Sequence, residues 1–141
     1  MKSFDIKTKI YFGDQALERL AEIPYQRVLV ITDPFMAQSS MINLVTDPLK
    51  KGRKEFEIFQ DVVPDPPIEK ISIGVKRMLE YKPDVIVAVG GGSAIDSSKS
   101  IREFALRVDH YGEVGLIAIP TTSGTGSEVT SFAVVSDPKE Q

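Results

Sequence analysis

Three stretches of the chain are apolar without interruption yet too short for a helix: Val28–Ile31 within Arg27–Thr32, Val85–Val89, and Leu116–Ile119. Continuous runs of this length predict strands buried on both faces, as in a parallel sheet. Lys54–Phe59 is predicted as a further strand, Thr8–Phe12 alternates weakly and suits a short edge strand, and Thr130–Val135 resumes strand character. Between them the apolar period changes to that of a helix. Ile68–Tyr81 places Ile68, Ile71, Val75, Met78 and Leu79 on one stripe, and Ala94–Val108 follows the central run. Gln15–Ile23 is predicted as a helix capped by Asp14 and stopped by Pro24. Met41–Lys51 also has helical spacing, with a break or kink expected at Asp47-Pro48. Val63-Pro64-Asp65-Pro66-Pro67 cannot be regular structure.

Strands alternating with helices predict an α/β fold, an open and mainly parallel sheet with helices on both faces and right-handed crossovers. At 141 residues the chain suits one domain. Composition narrows the function only modestly. A net charge of −3 with no basic block gives no reason to expect nucleic acid, and no apolar run approaches the ~20 residues that span a bilayer. A cytoplasmic location is therefore expected. The absence of cysteine removes disulfides, thiolate metal sites and a Cys nucleophile. With a single histidine, His110, in a predicted loop, neither a zinc or iron site nor a Ser–His–Asp arrangement is arguable within this chain.

Four polar elements follow predicted strands: Asp33, Pro64-Asp65-Pro66, Gly90–Ser93 and Thr121–Glu128. In open parallel sheets that edge is where ligands bind. Gly90-Gly91-Gly92-Ser93 leads from a strand into a helix, where backbone N–H groups and the positive end of the helix dipole can receive a diphosphate. The bland alternative is a tight turn with Ser93 as N-cap and Asp96 completing a capping-box-like pair. Lys99 either pairs with Asp96 or is a solvated lysine. Asp33 suits the two hydroxyls of a ribose and repels a 2′-phosphate; its alternative is a turn-initiating Asp-Pro. Asp33 precedes the glycines, the reverse of the order in the familiar dinucleotide fingerprint, so a dinucleotide site here requires a different topology. The hydroxyl- and glycine-rich Thr121–Glu128 is either a wrap for phosphate and ribose or a surface loop.

Two segments carry a family resemblance. Gly90-Gly91-Gly92-Ser93-Ala94-Ile95-Asp96-Ser97-Ser98-Lys99 matches the G-G-G-S-x-x-D-x-x-K segment of iron-containing (group III) alcohol dehydrogenases. Pro120-Thr121-Thr122-Ser123-Gly124-Thr125-Gly126-Ser127-Glu128-Val129-Thr130 matches their P-T-T-x-G-T-G-S-E-V-T segment. Lys9–Gly13, the strand ending in Asp33, and Pro64-Asp65-Pro66 resemble the same N-terminal half, so the likeness covers essentially the whole chain. Within the family the chain is most similar to propanol and ethanol dehydrogenases associated with bacterial microcompartments.

The resemblance implies a two-domain enzyme that interconverts a short-chain primary alcohol and its aldehyde by hydride transfer to NAD. In it, residues 1–141 are the dinucleotide-binding domain, and a C-terminal helical domain, expected to be absent from this chain, holds Fe2+ or another divalent metal through one Asp and three His. It assigns Asp33 to the adenosine ribose, Gly91, Gly92 and Ser93 to the diphosphate, and Thr121, Thr122, Gly124, Thr125 and Thr130 to the cofactor groove. Asp96 belongs to the same matched motif, and Asp65 stands where many members have Asn. The implied partners are NAD(H) and a small alcohol or aldehyde, with no membrane; a homo-oligomer and a microcompartment location are compatible. The chain alone is expected to bind NAD(H) weakly and to lack activity. The alternatives are a stand-alone nucleotide-binding or interaction module, and the cofactor domain of a glycerol-dehydrogenase-like or dehydroquinate-synthase-like relative; the intact Thr121–Glu128 segment argues against the latter two.

Overall fold

The computed structural model describes residues 9–12, 16–121 and 133–137. β1 is Lys9–Phe12, β2 Arg27–Ile31, β3 Glu55–Phe59, β4 Val85–Gly90, β5 Gly115–Pro120 and β6 Ala133–Asp137. They form one sheet in the order β1-β6-β5-β4-β2-β3. β3, β2, β4 and β5 pair in parallel, while β6 runs antiparallel to both β5 and β1. The expected mainly parallel sheet is present, with the predicted edge strand at its rim.

The continuous apolar runs occupy the middle of this sheet because both of its faces are covered. Every residue of β4 is buried, and Val28–Ile31 of β2 are fully so. Val28, Val30, Val85, Val87 and Val89 point to one side, where they pack with Leu17, Leu20, Met36, Val45 and Leu49. Leu29, Ile31, Ile86 and Ala88 point to the other, against Ile71, Met78, Ala94, Ile101 and Ala105. The first layer comes from α1 (Pro34–Gln38), α2 (Asn43–Lys51) and a 3-10 helix at Leu17–Glu22; the second from α3 (Ile68–Tyr81) and α4 (Gly92–Val108). α3 and α4 approach closely at Gly74, where a Cβ would stand 2.3 Å from Ile101 Cδ1.

The expectations were corrected at several helices. The α-helix expected over Gln15–Ile23 is a 3-10 helix over Leu17–Glu22, with Arg19 N donating to Ala16 O at 3.2 Å. A three-residue repeat suits the segment because the buried leucines, Leu17 and Leu20, stand three apart. Asp14, its expected cap, lies outside the described residues. The break expected at Asp47-Pro48 does not occur: Ser40–Ile42 forms a 3-10 turn and α2 then runs through Pro48. Leu44, whose carbonyl loses its donor to the proline ring, is an exposed residue of the first turn, and Pro48 O still accepts from Gly52 N at 2.9 Å. α1 was not anticipated. Asp33 begins it as N-cap, Oδ1 accepting from Met36 N at 2.7 Å, and Pro34 occupies its first position.

Truncation should separate the core from its surroundings. Ile86→Ala is expected to lower unfolding free energy by about 2–5 kcal/mol and Ile73→Ala, on the exposed side of α3, by less than about 0.5 kcal/mol, both read from urea denaturation. At the opposite edge from the strand ends that carry the candidate site, Tyr111 Oη donates to Pro83 O at 2.8 Å, and burial pushes its phenol above the ordinary value of 10.0. A group harder to ionise when folded contributes fully below its unfolded pKa and loses that contribution as pH rises beyond it. Tyr111→Phe should therefore flatten the decline in stability between about pH 9 and pH 11.

Candidate functional site

The parallel strands carry a change of direction in their order. From β2 the chain moves outward to β3, then crosses back over β2 to place β4 on its other side. The carboxyl ends of β2 and β4 are thus adjacent while their connections leave toward opposite faces, and a crevice opens between them. Asp33 follows the end of β2, and the glycine turn follows the end of β4.

Backbone and side-chain bonds hold these ends. Thr32 N donates to Phe59 O at 3.0 Å, Thr32 Oγ1 donates to Val89 O at 2.7 Å, and Thr121 N donates to Gly90 O at 3.0 Å. Gly90 has φ 141°, and a Cβ there would stand 3.1 Å from Ala94 Cβ and 3.5 Å from Asp33 Oδ2. The Asp33 carboxylate therefore stands beside the glycine turn, with Oδ1 engaged by Met36 N and Oδ2 facing Gly90.

The three glycines have different reasons. Gly90 is buried and required by its backbone conformation. Gly91 and Gly92 are exposed, and a Cβ on either would meet nothing within 4 Å. Packing within the described residues does not demand glycine at those two positions; the close approach of something from outside would. Gly91 is the N-cap of α4 and brings no capping side chain, so among the described residues no side chain caps the first N–H groups of this 17-residue helix at the rim. Ser93, expected as N-cap in the bland reading, is instead the second residue of α4. Its capping-box pairing with Asp96 is corrected accordingly: the helix starts two residues too early for it.

Of the remaining candidates, Thr121 is brought to the turn by its bond to Gly90 O. Asp96 is exposed on α4 one turn beyond Gly92, and no ion pair joins it to Lys99. Asp65 is exposed after β3 in a left-handed conformation, φ 45°, and no hydrogen bond ties it to the crevice among the described residues. Thr122, Gly124, Thr125 and Thr130 lie outside the described residues. Two hydroxyls escaped the sequence reading. Thr32 is fully buried, and Ser97, 4% exposed, has an Oγ without a partner among the described residues. A polar residue closing an apolar strand was the available signal for the first; nothing local marked the second.

Elsewhere, an open groove of about 490 Å3 on the outer face of α3 and α4 is lined by apolar side chains such as Ile68, Val75, Leu79 and Phe104. It presents none of the open backbone donors of the glycine turn. Among the described residues no group of three or more His, Cys, Asp or Glu could hold a metal ion, so they do not fit an iron centre. No described helix is long and apolar enough to cross a membrane.

The sequence model of the family described as iron-containing alcohol dehydrogenase matches residues 7–141. The chain is 40% identical over 142 residues to the 1-propanol dehydrogenase PduQ of Citrobacter freundii, covering 98% of this chain and 37% of that protein. To PduQ of Salmonella typhimurium it is 36% identical over 138 residues, with the same coverage, 98% and 37%. The chain thus spans little more than a third of the length of these relatives. Among solved structures, an iron-containing alcohol dehydrogenase from Thermococcus thioreducens superposes with a TM-score of 0.68 at 27% identity, over 87% of this chain and 40% of that one.

Gly90→Ala should cost about 1–3 kcal/mol in urea denaturation through backbone strain and its contact with Ala94, whereas Gly91→Ala should change stability by under about 1 kcal/mol.

Proposed function

The chain belongs to the iron-containing alcohol dehydrogenase family, and on that premise we propose that residues 1–141 form the dinucleotide-binding domain of an NAD-dependent alcohol dehydrogenase. The observation that supports this most is the Asp33 carboxylate standing beside a glycine turn at the sheet's change of direction, with open helix N–H groups next to it.

In this reading the N–H groups of Gly92 and Ser93 receive the diphosphate, aided by the helix dipole. Gly91 and Gly92 allow the phosphate oxygens to reach the backbone. Asp33 Oδ2 accepts from the adenosine ribose hydroxyls while Oδ1 stays on Met36 N, and its negative charge disfavours a 2′-phosphate. Thr121, with Thr122, Gly124, Thr125 and Thr130, lines the groove; Asp65 and Asp96 flank it. Bound NAD supplies the hydride acceptor. The described residues hold no cluster of three or more metal-ligating side chains, so the iron of the family name is assigned to none of them. A short-chain primary alcohol and its aldehyde are the proposed substrates of the enzyme, following the 1-propanol dehydrogenases the chain is similar to. A cytoplasmic location, within a bacterial microcompartment, and a homo-oligomeric state belong to the same proposal and rest on resemblance alone.

Titration of the chain with NADH and NADPH, followed by nicotinamide fluorescence, tests the reading. NADH is expected to bind weakly and more tightly than NADPH, and the chain by itself is expected not to reduce NAD with propanol. Gly91→Ala should weaken NADH by about tenfold without loss of stability, and Asp33→Gly should bring NADPH level with NADH. No NADH binding at millimolar concentrations, or an unchanged preference in Asp33→Gly, would overturn the assignment.

A further inference from the structure

Backbone pairing between β2 and β4 ends at Ile31 and Ala88. One residue further on, Thr32 turns its N–H away, to Phe59 O of β3. The next carbonyl of β4, Val89 O, is nevertheless not left open on that side. Thr32 Oγ1 reaches it at 2.7 Å, in a fully buried position. A side-chain hydroxyl thus continues the ladder for one step where the backbones part. On the far side of β4, Thr121 N holds Gly90 O. Asp33 comes immediately after Thr32, and Gly90 immediately after Val89, so the two groups assigned to the nucleotide hang from the two ends of one hydrogen bond.

We infer that Thr32 is a positioning residue, whose buried hydroxyl sets the separation of the β2 and β4 ends so that the Asp33 carboxylate and the glycine turn engage one nucleotide together. Resting on the nucleotide reading above, the inference adds to it the group that controls discrimination between NAD and NADP without touching either. Asp33 excludes a 2′-phosphate only if held where that phosphate would lie. Its own bond to Met36 N fixes it to α1, a five-residue helix. Met36 packs α1 against the apolar face of β4, and the bond from Thr32 is the hydrogen bond that ties the end of β2, where α1 begins, to the end of β4. Valine in place of Thr32 keeps the shape of the side chain and removes the donor, leaving Val89 O buried without its partner. The strand ends then relax apart, and Asp33 with them.

The test compares NADH and NADPH affinities of the chain with Thr32→Val and Thr32→Ser, with Ile86→Ala as a variant destabilised away from the crevice. Thr32→Val is expected to weaken NADH about tenfold and NADPH less, narrowing the preference at least about threefold. Thr32→Ser, which keeps the hydroxyl, should restore the wild-type preference, and Ile86→Ala should retain it. Should Thr32→Val fail to fold, Thr32→Ala against Thr32→Ser gives the same comparison. A wild-type preference in the variants lacking the hydroxyl, or an equal narrowing in Ile86→Ala, overturns the inference while the nucleotide reading stands. Absence of NADH binding by the wild-type chain removes both.

Discussion

A strand with no exposed residue on either face can end in only a few ways, and the end of β4 constrains everything around it. Its chain must leave the sheet at once, because the next residues cannot remain between two helical layers, and it must leave as the start of α4. Gly90 makes that exit with φ 141°, a conformation open to glycine at little cost, and Ala94 closes against it. The consequence is directional. A helix that starts directly above the strand end presents its first N–H groups along the same rim as the ends of β2 and β5. Polar residues at those ends then share one neighbourhood although they are separated by 57 and 31 positions (33 to 90, and 90 to 121) in the chain.

The two layers explain why that neighbourhood is a crevice rather than a surface. β2 and β4 are neighbours, yet α1 and α2 leave toward one face and α4 toward the other. Among the described residues no connection crosses above the gap between them. Reversal of the strand order, produced when α3 carries the chain from β3 back across β2, is thus a packing solution with a chemical outcome. It buries the apolar runs on both sides and leaves a polar slot where they end.

Much of this was legible where a local cause determines a local result. The unbroken runs Val28–Ile31 and Val85–Val89 announced strands covered on both faces, and the stripe from Ile68 to Leu79 marked α3 at the bounds the structure has. Legibility failed where two local signals compete. Asp33-Pro34 reads equally as a turn and as a helix start, and Met36 N decides between them. Pro48 should break a helix, but α2 runs through it, and Pro48 O keeps its own bond from Gly52 N. Ser93 is the better capping residue by type, yet the exit forced on Gly90 starts α4 before it. The adjacency of β2 and β4 has no local signature at all, since strand order is settled by which faces pack. The four strand-end elements were therefore visible singly, and of these the structure places Asp33, the glycine turn and Thr121 in direct relation, while Asp65 makes no hydrogen bond to them among the described residues.

The glycine triplet shows why stability and binding need not be read from the same residues. Gly90 answers to the fold. Gly91 and Gly92 do not, since the described residues around both would accept a side chain, and glycine at the start of a helix forgoes the capping bond that serine or aspartate would supply at a cost of only about a few tenths of a kcal/mol. Among the described residues no side chain claims the first helix N–H groups, and a donor left open at an exposed rim beside a carboxylate is ready for a ligand that carries an anionic group next to a hydroxyl-bearing sugar. A dinucleotide has both properties on one molecule, at a separation that two adjacent strand ends can span, and for that reason the reading rests on the pairing of Asp33 with the turn rather than on either alone.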